Sequence, residues 1–326
     1  MKVMNFAMTV GGIAVLAACG GGGGGGGDAN QALLTGVFID APVEGLAYST
    51  PTQSGITDAN GYFKYLNGEN VTFSLYGQEL FGALGYSYLT PFDKLDNTIN
   101  PGYSINLIRF LMALDADANP SNGIKIPRYS GVFDIDFNKS ILDFQADADG
   151  KISAFLATNA GGRQLASVKD AVDHFNNSIA NIAPAYTLSL VGKSSTSVIK
   201  NSRCTNGVNA GQIYEFGVQS VKLSGSDRLI NPGDGNCTAG PVANEEVLYT
   251  TLNEGEFLSC APTCSYKQLN RVAYLASDAD GREAVEWSWH TPNSNVIFSV
   301  KSILSDPGSG NNPAALITFT EVMTLR

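Results

Sequence analysis

The chain has 326 residues and a formal net charge of −10, with 20 Lys and Arg against 30 Asp and Glu. The basic residues nowhere cluster, which excludes the charge footprint of a nucleic-acid binder; an acidic surface suits solubility and cation binding. The 36 Gly, 13 Pro, 13 Tyr and 16 Phe favour strands and turns over long helices, and the length allows two domains or three small ones.

The first five residues carry one Lys and no acid, and Phe6 to Ala18 are apolar or small throughout. An apolar stretch of about 13 residues after a basic start is the layout of a secretory signal. It is too short for a bilayer-spanning helix, which needs roughly 20 apolar residues. The segment ends Leu16-Ala17-Ala18-Cys19-Gly20, which resembles the lipobox of bacterial lipoproteins. That resemblance implies cleavage before Cys19 and a covalent lipid, palmitate among its acyl chains, on Cys19. In that family Asp after the Cys retains the protein at the inner membrane; Gly20 therefore implies the outer membrane, on either its periplasmic or its extracellular face. Gly20 to Gly27 follow without a break, have no side chains to bury, and read as a tether of roughly 15 Å. Residues 1–18 are thus expected to be a signal peptide and 19–30 a lipidated Cys with its tether, so the membrane is a partner through the lipid.

Residues 31–90 read as a small β-sandwich. Leu34, Val37, Ile39 and Val43 begin it, Gly55 to Tyr65 predict a hairpin around Asp58-Ala59-Asn60-Gly61, and Val71, Phe73 and Leu75 alternate along a further strand. The run GVFIDAPVEGLAYSTPTQSGITDANGYFKY resembles the prealbumin-like or carboxypeptidase-regulatory-like modules of secreted bacterial proteins. The resemblance covers about 50 residues and implies a non-catalytic spacer or binding unit.

Residues 91–184 form a helical middle. Ser104 to Leu114 read as an apolar helix buried on most sides. Residues 165–182 read as an amphipathic one, with Leu165, Val168, Val172, Phe175, Ile179 and Ile182 on one face and Pro184 as its stop. His174 lies on the flank of that helix beside Asp173 and is expected to be solvated. Between the helices stands Leu114-Asp115-Ala116-Asp117-Ala118-Asn119-Pro120-Ser121-Asn122-Gly123-Ile124. Asp115, Asp117, Asn119 and Asn122 offer the oxygen ligands that calcium prefers. Pro120 and Ile126 replace the Gly and Glu of an EF-hand. The segment is instead similar to one that recurs in bacterial surface lipoproteins. The alternative is a helix C-terminal turn whose Asp and Asn cap backbone groups. Asp147-Ala148-Asp149-Gly150 and Asp278-Ala279-Asp280-Gly281 are shorter and read as turns joining strands.

Residues 185–326 read as a β-rich disulfide domain with seven strands, from Tyr186–Val191 to Ala315–Leu325. Cys204, Cys237, Cys260 and Cys264 are an even set for an oxidising compartment. Proximity favours Cys204 with Cys237 and Cys260 with Cys264, worth roughly 3–4 and about 2 kcal/mol in loop-closure entropy. A four-Cys zinc site would lack its paired spacing. Trp287 and Trp289 share a strand face and are either core or a ligand platform for sugar rings.

The expected fold class is therefore mainly β with a small α-helical middle: an N-terminal β-sandwich, a helical insert and a C-terminal disulfide-containing β domain. No nucleophile elbow or His-Glu-x-x-His motif occurs, and the two histidines form no recognisable nucleophile–base set. The residues point to a non-catalytic outer-membrane or surface lipoprotein, an adhesin-like interaction module stabilised by calcium, with an unidentified protein or glycan partner. Two other readings stand beside it: an envelope glycan hydrolase using two carboxylates about 5–10 Å apart, and a periplasmic accessory subunit of an outer-membrane assembly.

Overall fold

Alternating apolar residues lay down two short sheets in the first third of the chain, one mixed and one antiparallel. The computed structural model describes residues 31–94, 101–139, 141–182, 187–191, 195–206, 213–216, 220–224, 227–231, 245–249, 260, 263–275, 283–290, 296–306 and 315–325. Strands β1 (Leu33–Phe38), β5 (Tyr62–Leu66) and β8 (Tyr88–Leu89) form one sheet, in the order β5-β1-β8. Strands β3 (Ala47–Ser49), β4 (Ser54–Ile56), β6 (Asn70–Leu75) and β7 (Gln78–Leu84) form the other, ordered β4-β3-β6-β7. Phe38 and Phe63 of the first meet Phe73 of the second edge-on, with ring centroids 4.8 and 5.2 Å apart. That geometry suits the ring quadrupoles and adds to the burial of large apolar area.

The expected hairpin is corrected here. The turn Asp58 to Gly61 forms, with Asp58 Oδ1 accepting the amides of Asn60 and Tyr62. It joins β4 to β5, however, and these lie in different sheets. Turn chemistry reversed the chain without deciding which strands pair. Gly61 sits at φ 72°, and a Cβ there would fall 2.7 Å from the Phe38 carbonyl, so only Gly fits where the crossover presses on β1.

The helical middle begins with α1 (Pro101–Leu114), three residues earlier than expected and buried almost all round. Two helices went unread: α2 (Ile141–Ala146) and α3 (Lys151–Asn159). Asp147-Ala148-Asp149-Gly150 joins them rather than two strands, and Asp147 accepts the amides of Ile152 and Ser153 at the start of α3. Helix α4 (Val168–Ile182) buries Val172, Phe175 and Ile179 as the spacing required, together with Ala171.

Short strands β2 (Val43–Glu44) and β9 (Ile124–Lys125) pair in parallel. Core residues from 38–81 pack in one cluster with residues from 103–160. A second cluster gathers Ile39, Phe92, Ile105 and Phe175 with Val272, Val285, Trp287 and Trp289. The three expected segments therefore share cores, and residues Leu33–Arg326 make up one unit.

The last third is mainly one antiparallel sheet, accompanied by two separate strand pairs, β10 (Thr187–Ser189) with β16 (Thr263–Ser265) and β13 (Ser220–Ser224) with β14 (Asp227–Asn231). The order of the large sheet is β12 (Ile213–Phe216), β11 (Ser195–Asn206), β20 (Ala315–Leu325), β19 (Val296–Asp306), β18 (Glu283–Trp289) and β17 (Arg271–Leu275), with β15 (Glu245–Tyr249) also pairing β11. Strand β11 was not expected, yet it pairs on both edges. Asn176 of α4 donates to the Val272 carbonyl at 2.7 Å and accepts the Val272 amide at 3.3 Å, so α4 occupies the open edge of β17. Cys260 and Cys264 are disulfide-bonded. Cys237 and the side chain of Cys204, like Cys19, the tether and Asp278 to Gly281, lie outside the described residues.

Candidate functional site

The two stretches that stood out in the sequence meet at the β2–β9 pair. The Ile124 amide donates to the Pro42 carbonyl and the Ile126 amide to the Glu44 carbonyl, both at 2.9 Å. The Asp-rich loop is thereby fastened to the Asp40-Ala41-Pro42-Val43 turn.

Asp115 organises the Asp-rich loop. It follows the last residue of α1 and is 1% exposed. Its Oδ2 accepts the Asn119 amide at 2.7 Å and its Oδ1 the Lys125 amide at 2.9 Å. Asp117 Oδ1 also accepts from the Asn119 amide, and its Oδ2 accepts from the Asn122 side chain at 3.0 Å. Asn119 Oδ1 accepts the Ser121 hydroxyl. The four expected cation ligands are thus brought into one loop, where each also closes the loop on itself. Burial pushes the Asp115 carboxyl up, against the pull of the Lys125 amide. Asp117 is held below its ordinary value, first by the Asn122 side chain and then by Asp115 and the Asn119 amide. Arg163 adds a clasp from outside: its guanidinium donates to the carbonyls of Asp115 and Ala116, where the dipole of α1 favours positive charge. Among the described residues no group of three or more His, Cys, Asp or Glu is placed to hold a metal ion.

Asp40 is buried as well, and the sequence did not point to it. It is 0% exposed, and neither carboxylate oxygen has a hydrogen-bond partner. The His174 side chain of α4 lies beside it, with Nε2 3.6 Å from Oδ1 and 3.1 Å from the Asp40 carbonyl. The expectation of a solvated His174 is corrected: its side chain is 8% exposed. The spacing Ala171, His174, Ser178 put it on the border of the apolar face, which was the available signal. Burial raises the Asp40 carboxyl well above its ordinary value. Burial also lowers the His174 imidazole, opposed by the Asp40 carbonyl and the charge of Asp115.

Trp287 and Trp289 are 6% and 1% exposed, so they are core and present no ring face to a sugar. The Trp289 indole N–H donates to Asp93 Oδ1 at 2.9 Å, and its ring stacks on Phe92. His290 is buried as well.

Searches against protein-family models, curated proteins and solved structures find no match to the chain. Among the described residues no helix is long and apolar enough to cross a membrane.

Proposed function

We propose that the protein is a lipid-anchored, non-catalytic interaction module of the bacterial outer membrane. The observation that carries this reading is Leu16-Ala17-Ala18-Cys19 followed at once by eight glycines, with the first strand of the folded body opening at Leu33. A lipidated Cys and an unpackable tether are what hold a body just off a membrane surface. The reading also draws support from the two distinctive sequence stretches, which interlock through the β2–β9 pair. Metabolic labelling with an alkyne fatty acid tests it: label is expected on the wild-type chain and lost in Cys19→Ala. An unlabelled wild type contradicts it. Proteolysis of intact cells then separates outward display from a periplasmic accessory role.

Calcium belongs to the proposal as a stabiliser of the Asp115 loop. The closeness of the Asp115 and Asp117 carboxylates supports it, since each bears on the other's charge. Backbone carbonyls would supply the remaining oxygen ligands. An ion present at 100 times its dissociation constant adds about 2.7 kcal/mol. Thermal unfolding in EDTA and then in millimolar calcium is expected to show an upward shift that an Asp115→Ala/Asp117→Ala chain lacks. Identical transitions would remove calcium from the reading.

A further inference from the structure

We infer that Asp40 and His174 form a buried acid–base pair that keeps one shared proton through the neutral range, making the contact between the β1–β2 turn and α4 a pH-sensitive latch. The argument starts from the Asp40 carboxylate. Removing a bare carboxylate from water without a hydrogen bond is costly enough that such a group takes up a proton or finds a cation. Asp40 is completely buried, and both its oxygens are without a hydrogen-bond partner. His174 stands 3.6 Å from Oδ1. The proton rests on one member of the pair or the other, and the count is one in both cases.

Other charged groups on the surrounding elements have partners of their own. The charge of Asp115 acts on His174 and favours its protonated form, and the Asp115 oxygens accept the Asn119 and Lys125 amides. On α4 itself, Asp173 pairs with Lys169, and Asp170 bonds Ser167 at the surface. Arg109 of α1 donates to the Ala166 carbonyl and to Gln145. Asp93, following β8, is bonded by Thr90 and Trp289. Glu44 and Lys125 pair at the surface.

The sign of the pH dependence follows. In an unfolded chain Asp is deprotonated above about pH 4 and His above about 6.5. Between those values folded and unfolded chains each hold one proton at these two residues, so the pair contributes no slope. Above about 6.5 the unfolded chain holds none and the folded pair still holds one, so stability falls as pH rises. Below about 4 the unfolded chain holds two, and stability falls as pH drops. The directions at the two sites, Asp40 raised and His174 lowered, agree with one retained proton.

The test is denaturant unfolding of the full chain from about pH 6.5 to 9, wild type beside Asp40→Asn, which supplies a neutral side chain of the same shape. The wild type is expected to lose stability relative to Asp40→Asn by about tenfold in the unfolding constant per pH unit, until the pair ionises. Parallel curves would overturn the inference. If Asp40→Asn does not fold, the His174 ring signals of the wild type decide. There are only two histidines to assign. An inflection in those signals well above pH 7, where the pair gives up its one proton, supports the latch, and ring signals with no inflection above 7 overturn it.

Discussion

The turn after β1 and the loop after α1 are joined by the same pair of short strands, and each buries one aspartate. Asp115 receives a main-chain N–H on each oxygen, whereas Asp40 receives none. The donors decide what a buried acid does. Met by amides, it ties a loop together. Left bare, it poses a charge problem that a neighbouring base has to share.

Asp115→Ala probes the satisfied acid and has the largest expected effect. It strips the acceptor from the Lys125 amide and one acceptor from the Asn119 amide, and is expected to lower unfolding free energy by about 2–4 kcal/mol by denaturant titration. A loss under about 1 kcal/mol would erase the contrast with Asp40. Arg163→Ala removes the cap on α1, including its bond to the Asp115 carbonyl, without removing a donor to either buried carboxylate, and about 1–2 kcal/mol is expected. Asp117→Ala should cost less than either, because Asn119 keeps its bond to Asp115 and the site is exposed. The Asp117 carboxyl is held below its ordinary value, so its contribution is present above that value and lost as pH falls through the lowered one. An acid titration that Asp117→Ala leaves unchanged would show that the Asn122 bond does not form. Glu44→Gln breaks only a surface pair and is expected to change stability by about 0.5 kcal/mol or less.

Part of this contrast was legible in the sequence. Asp115, Asp117, Asn119 and Asn122 sit within one short loop, so side-chain chemistry and spacing were enough to bring them together. The burial of α1 followed from its apolar run, and the buried face of α4 from helical periodicity. Asp40 and His174 are 134 residues apart, and no local pattern joins residues at that distance. The same limit applies to the turn at Asp58 to Gly61, which fixed a local reversal while strand partners were chosen by the two-sheet core. Period two placed Trp287 and Trp289 on one face, but Phe92 and Phe175, arriving from the helical middle, made that face interior. Strand β11 went unread because Ser, Thr and Asn dominate it, and its place is set by pairing on both edges.

The most direct measurement puts the two aspartates side by side: denaturant unfolding of the full wild-type chain, Asp115→Ala and Asp40→Asn at about pH 6.5 and again at about 8.5. The expected result is that Asp115→Ala shows the same deficit at both values, while Asp40→Asn gains on the wild type as pH rises. Equal behaviour of the two variants, with neither difference depending on pH, would contradict the division into a tied loop and a proton-bearing latch.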